Sequence, residues 1–423
     1  MFVVQFFVFL ALAVAHARVD RANNVCPTLE DYATIKTNSR CWYNPDLNAK
    51  PVAIARRYGF RLENHKVTTS DGYILTLNRI VPLNGTPGSA PILMHHGICA
   101  NAAYFILHGK TSTALYLVSI GFDVWLSNAR GTEVSMRHET MSPSDPEFWN
   151  FSFHEMAIMD IPASLDYIRK KTGGKKVTFI GHSMGGTIQY VYASMMPQHA
   201  KESINAIVSL APVVYSKHMK TEVAKLLAPY TDHLLRQFNM IDLPGTGIYP
   251  QLKRYVERIC NRYPYILVCL QFVESLTGTS RGNFEPEYLP LIFRRYPAGF
   301  SLKTLAHFGQ EHESGGRFQM FSYGSKENLL RYNSVGPLEY DVHKINVPVY
   351  IIYGEADLLS DEEDNKMLFR ELKTEKHIMA IRGANNTVKY THNDFLFSKT
   401  LMDLNMYLAG ILRNITSHDN KRR

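Results

Sequence analysis

From residue 60 onward the chain alternates short apolar runs with helix-length segments. The runs span 90–95, 122–127, 176–180, 204–210, 347–353 and 376–381. Most are continuous, as expected of strands buried on both faces. Between them lie 113–120, 153–172 and 187–196, each long enough for a helix. Strands alternating with helices predict an α/β class with a mostly parallel sheet. Two further β-rich segments, 65–69 and 73–80, flank Ser70-Asp71-Gly72 and predict a hairpin closed by an Asp-Gly turn. Residues 18–50 are irregular. The rhythm breaks between about 213 and 340, where helical runs at 224–238, 250–259 and 265–276 carry many aromatics and no convincing strand. The expected organisation is a core over 18–212, an α-helical cap or lid inserted at 213–340, and the rest of the core over 341–423. There are no internal repeats.

Composition narrows the class without choosing a function. A chain of 423 residues, 45% hydrophobic and 20% charged, is long enough for one large domain with an insertion. The formal net charge is +8, but the basic residues are scattered, with a short cluster only at Lys421–Arg423. No nucleic-acid partner is expected; a mildly basic surface suits adsorption to anionic lipid. The first 17 residues carry no Lys, Arg, Asp or Glu and end in Ala15-His16-Ala17, which predicts a secretory signal cleaved before Arg18. An N-terminal anchor is the alternative. No other run is long and apolar enough to span a membrane. A secretory route permits disulfides among the five cysteines. Cys260 and Cys269 could close a small loop, and Cys26 and Cys41 could pair, leaving Cys99 as a thiol; other pairings stay open. Sequons at Asn84, Asn150, Asn385 and Asn414 are glycosylation candidates.

The candidate chemistry begins at FIGHSMGGT, residues 179–187, which contains G-x-S-x-G around Ser183. The pattern recurs around Ser280, so context must decide between them. Ser183 follows an apolar strand and precedes a helix, the strand–turn–helix setting of a nucleophile elbow. Side chains at Gly181 or Gly185 would clash with the adjoining strand and helix. Ser280 follows a helix and precedes a loop, and is not expected to react. A serine hydroxyl needs a base, and the base an orienting carboxylate, in the chain order Ser, Asp/Glu, His. Asp357 follows the strand at 347–353, with Glu355, Asp361 and Asp364 as rivals read as turn or surface carboxylates. Among 17 histidines, His392 lies in the last loop before a final helix at about 395–412. His343 and His377 are expected to be surface or packed residues. The oxyanion hole should combine the backbone N–H of Met184 with that of Ile98, in the loop after 90–95. A metal site at His307, His312 and Glu313 was weighed, but the spacing fits no metal motif, and surface polar residues in a loop are expected there. No metal or organic cofactor is expected.

The chain resembles the acid lipase family of α/β-hydrolases. The resemblance covers nearly all of the mature chain and rests on GYILTLNRI (72–80), HHGI (95–98), GFDVWLSNARG (121–131), SPSDPEFWNFSFHEMAIMDIPASLDYI (142–168), GHSMGGT (181–187), AHFGQEHESGGRFQMFSYG (306–324), YGEADLL (353–359) and THNDF (391–395). It implies an α/β-hydrolase core with a helical cap, and hydrolysis of neutral lipid esters such as triacylglycerols and cholesteryl esters. It also implies a triad of Ser183, Asp357 and His392, with oxyanion donors at Ile98 and Met184. The Cys260/Cys269 spacing is similar to the family's cap disulfide. Three positions depart from the family pattern: Met184 stands where Gln is common, Cys99 is unusual beside Ile98, and Asn150 replaces a common Asp. The expected partner is a lipid ester at a lipid–water interface. The rivals are a carboxylesterase or acyltransferase on smaller esters, and a non-catalytic lipid-binding protein on the same scaffold.

Overall fold

A computed structural model describes residues 22–237, 248–279, 282–383 and 386–422. The expected signal segment, Asn385, Ser280 and Arg423 lie outside these residues. A nine-stranded sheet runs in the order β1 (Phe60–Thr68), β2 (Ile74–Pro82), β4 (Phe122–Asn128), β3 (Ala90–His95), β5 (Val177–His182), β6 (Ile204–Leu210), β7 (Val349–Gly354), β8 (Lys376–Gly383) and β9 (Val388–Lys389). From β4 through β8 neighbours pair in parallel. The hairpin β1–β2 and the short β9 are antiparallel.

The continuous apolar runs are explained by burial on both faces. Along β3, Leu93 enters one core with Trp125, Phe179 and Ile207, while Ile92 and Met94 enter a second with Val124, Leu126, Ile180 and Val208. Each strand therefore feeds two cores by its two-residue alternation. Helices cover both faces: α1 (Pro51–Arg57), α2 (Thr113–Ser119), α3 (Ile161–Lys171), α4 (Met184–Met195), α5 (Pro197–Ser203), and later α12 (Glu362–Glu371) and α13 (Leu401–Arg422). The expected single helix at 153–172 is interrupted by a π-helical turn at Met156–Asp160. That turn carries Asp160, which meets Arg130 at the exit of β4. The Arg130 guanidinium also reaches Asp71 in the hairpin turn (2.6 Å) and lies 3.9 Å above the Tyr73 ring. This ionic group ties the hairpin turn to the exit of β4 and gives two polar residues of the 121–168 block, Arg130 and Asp160, their partners.

Between β6 and β7 the described residues contain helices α6 (Glu222–Gln237), α7 (Ile248–Cys260), α8 (Tyr265–Thr277), α9 (Leu289–Arg295), α10 (Leu302–Glu313) and α11 (Ser325–Tyr332), joined by loops. Cys260–Cys269 bridges α7 to α8, Cys26–Cys41 closes the N-terminal region, and Cys99 is a thiol. One sequence expectation is corrected here. His307 is not in a surface loop but inside α10, fully buried, with its ring stacked on Phe153 (4.0 Å) and its nitrogens bonded to Ser152 Oγ and Gln319 O. Asn84 and Asn414 are exposed, whereas the Asn150 side chain bonds Glu147 and Lys303 beside a buried Ser152.

Candidate active site

The four loops expected to carry chemistry leave the carboxyl ends of β3, β5, β7 and β8–β9, where ligands of an open α/β sheet bind. Ser183 joins β5 to α4 with φ 57° and ψ −121°, a backbone that an L-residue adopts only under strain. Its N–H donates to Leu210 O on β6 (3.0 Å), and its carbonyl accepts from Gly186 (2.8 Å). The glycines around it are steric requirements. A Cβ on Gly181 would strike Gly185 O, one on Gly185 would strike His95 O, and one on Gly186 would lie 2.6 Å from Pro212 Cβ.

Asp357 and His392 meet across loops far apart in sequence. His392 Nδ1 and Asp357 Oδ2 are 2.7 Å apart, and both residues are buried. The other Asp357 oxygen, Oδ1, accepts from Leu359 N (2.8 Å) and Ser360 N (2.9 Å), which fixes the carboxylate with Oδ2 turned to the imidazole. The carboxylate's contact puts the histidine proton on Nδ1 and leaves Nε2 as the basic nitrogen. The two loops are themselves joined by Ala356 N–H to Tyr390 O (3.0 Å). The rival carboxylates are engaged elsewhere. Glu355 pairs with Arg382, Asp361 caps α12 and meets Lys220, and Asp364 holds His218. Of the expected turn or surface carboxylates, Asp361 sits in the turn that starts α12, but both it and Asp364 are buried rather than on the surface. His343 and His377 are exposed, the latter stacked on Tyr350.

The β3 loop presses against the serine. A Cβ on Gly97 would lie 3.0 Å from Ser183 Cβ and 3.3 Å from its Oγ. Among the described residues, neither the Ile98 nor the Met184 N–H donates to a protein acceptor. Sequence reasoning missed what holds this loop in place. His96 Nε2 accepts from Ala129 N–H (3.1 Å), so the ring proton is on Nδ1, which donates to Gly97 O (2.8 Å). Burial lowers His96 to about 3 and His95 to about 4, keeping both rings neutral. Cys99 follows at φ 60°, and its carbonyl accepts from Ala298 N (2.7 Å), beyond α9. Burial pushes its thiol up to about 12, so it is no nucleophile at neutral pH. Thr391 and Asp394 bond each other across the histidine loop, and Asn393 Nδ2 reaches Thr277 Oγ1 at the end of α8. No group of three or more His, Cys, Asp or Glu able to hold a metal ion occurs among the described residues.

Comparison with known proteins places this chain in a family. Residues 90–384 match the alpha/beta hydrolase fold family, and residues 52–109 match the partial alpha/beta-hydrolase lipase region. Lipase 1 of Drosophila melanogaster is 33% identical over 81% of this chain and 74% of its own. Human gastric triacylglycerol lipase is 31% identical over 89% of this chain and 93% of its own. The lysosomal acid lipase/cholesteryl ester hydrolase of Macaca fascicularis is 33% identical over 78% and 83%. A solved structure from Sulfolobus solfataricus, 15% identical, covers 84% of this chain and 95% of its own at a TM-score of 0.51, and bears on the fold alone. With sequence matches over most of its length and the expected sheet, the chain belongs to the α/β-hydrolase lipase family that includes gastric triacylglycerol lipase and lysosomal acid lipase.

Proposed function

We propose that this carboxylic ester hydrolase is a secreted or lysosomal lipase of neutral lipids that works through Ser183, Asp357 and His392. His392 Nε2 takes the proton from Ser183 Oγ as the oxygen attacks the ester carbonyl. The Ile98 and Met184 N–H groups receive the charge that develops on the carbonyl oxygen. Collapse of the tetrahedral intermediate breaks the ester bond, and the histidine returns its proton to the leaving alcohol. Water, activated by the same nitrogen, then cleaves the acyl-serine. The observation that carries this assignment is the buried 2.7 Å Asp357–His392 contact on the same sheet edge as a serine at φ 57°.

Several features support a lipid substrate. The relatives are named for triacylglycerol and cholesteryl ester. Leu226, Leu227 and Tyr230 on α6, and Val268 and Phe272 on α8, are exposed, which suits contact with a lipid–water interface. The helical segment between β6 and β7 is read as a cap, because Thr277 O accepts from the His392 N–H and Ala298 bonds the loop of Ile98. Among the described residues no helix is long and apolar enough to cross a membrane. The test is hydrolysis of p-nitrophenyl butyrate and emulsified triolein by wild type and Ser183→Ala from pH 4 to 8. Wild-type cleavage of triolein, lost by several orders of magnitude in a folded Ser183→Ala, is expected. Cleavage of the short ester alone would favour an esterase, and an inactive folded wild type a lipid-binding protein.

A further inference from the structure

We propose that His182, the residue before the nucleophile, is a positioning residue that holds the base loop against the nucleophile elbow. The inference rests on the assignment of His392 as base and extends it. His182 Nε2 lies 3.0 Å from the backbone oxygen of His392, across 210 residues of sequence. A carbonyl oxygen can only accept, so Nε2 carries the proton and donates it. The two ring centroids are 5.0 Å apart, and that of Phe395 lies 6.2 Å from the His182 ring. His182 is buried at the end of β5, where its backbone cannot move independently of Ser183.

The position of His392 is otherwise set from elements remote from the serine. Its imidazole is fixed by Asp357 on the β7 loop, and its N–H by Thr277 O at the end of α8. The His182 bond is therefore the direct tie between the backbone carrying the base and the strand carrying the nucleophile. It matters because proton transfer requires the base within about 2.6–3.2 Å of the hydroxyl in the productive state. Burial holds His182 uncharged, lowered to about 3, so the donor hydrogen and the tie are the same from pH 4 upward, and no second cation stands beside the imidazolium that forms on His392.

The test compares three substitutions. Gln reaches with its amide nitrogen to about the place of Nε2; Asn is polar but too short; Leu fills the space without a donor. Steady-state hydrolysis of p-nitrophenyl butyrate is measured with thermal midpoints for wild type, His182→Gln, His182→Asn and His182→Leu. Misplacement of the base predicts that kcat falls about 10- to 100-fold in His182→Asn and His182→Leu, with KM within about twofold, and that His182→Gln recovers most of it. Should His182→Leu fail to fold, the contrast between Gln and Asn decides. Equal kcat in Gln and Asn, or a loss carried by KM, would overturn the inference while leaving the lipase assignment standing. A folded wild type that cleaves neither ester would remove the assignment and the inference together.

Discussion

A methyl group on Gly97 would sit 3.0 Å from Ser183 Cβ and 3.3 Å from its Oγ, so Gly97→Ala must either turn the serine or push the Ile98 N–H away from it. Loss of one oxyanion donor typically costs about 10²–10³ in kcat. Gly97→Ala is expected to lose that much on p-nitrophenyl butyrate, with a thermal midpoint near wild type; full activity would show that the loop has no such role. Asp357→Asn keeps the shape but presents an amide to His392 Nδ1, favouring the wrong tautomer, and should lower kcat by about 10⁴-fold. At this scale the sequence was informative where function is local. The proposed nucleophile Ser183 is singled out by the strand before it and the helix after it, and its proposed partners Asp357 and His392 by their places after late strands. The roles of His96 and His182 could not be read, because their partners, Ala129 and the His392 carbonyl, lie in loops that follow other, sequence-distant strands. The burial of Asp361 and Asp364 escapes the sequence for a related reason: acidic residues at a helix start have the pattern of exposed turns, while here Lys220 and His218 pair with them.

Elements were legible in proportion to their burial on both sides. The six parallel strands announce themselves as apolar runs. α10 does not: LKTLAHFGQEHE is polar and carries a glycine, yet it forms a helix whose His307 stacks on Phe153 and whose Lys303 is buried. Lys303 Nζ bonds Asn150 Oδ1 (3.0 Å) and Tyr323 OH (2.9 Å) and approaches Glu155 Oε1 (3.5 Å). Burial alone would raise the Glu155 carboxyl, but Lys303, His154 and the Ser152 N–H outweigh it and hold it at about 2. A carboxyl held low in the fold stabilises it fully above the ordinary glutamate value of 4.5, and this contribution is lost as pH falls through about 2. Lys303→Met removes the main partner and leaves a largely buried carboxylate, at a cost on the order of 3 kcal/mol at neutral pH. Urea unfolding at pH 7, 5 and 3 should show that penalty shrinking toward pH 3, where the carboxyl of the variant takes up a proton. A penalty independent of pH would mean that packing, not charge, is what Lys303 supplies.

At the scale of the whole molecule, a group of exposed apolar side chains and the proposed active site lie on connected elements. α6 and α8 leave Leu226 at 70%, Val268 at 63% and Phe272 at 56% exposed, and α8 ends at Thr277, whose carbonyl holds the His392 N–H. Each such side chain gains roughly 1.5–3 kcal/mol when moved from water into an apolar phase. Three of them together would change adsorption to an oil droplet by several powers of ten. The Leu226→Glu, Val268→Glu, Phe272→Glu triple variant should therefore lose hydrolysis of emulsified triolein by at least about tenfold and no longer float with the droplets. Its rate on dissolved p-nitrophenyl butyrate should stay within about twofold of wild type, because that substrate needs no interface. Equal losses on both substrates would mean that these residues support the site through α8 rather than adsorb, and undiminished triolein cleavage would move the interface elsewhere on the surface. Salt separates the remaining electrostatic contribution. The net charge of +8 can draw the protein to anionic lipid, but a triolein droplet carries no fixed charge. Adsorption to triolein that survives 1 M salt in wild type and is absent in the triple variant would assign it to these apolar side chains, since charge attraction beyond about 3 Å is screened at that ionic strength.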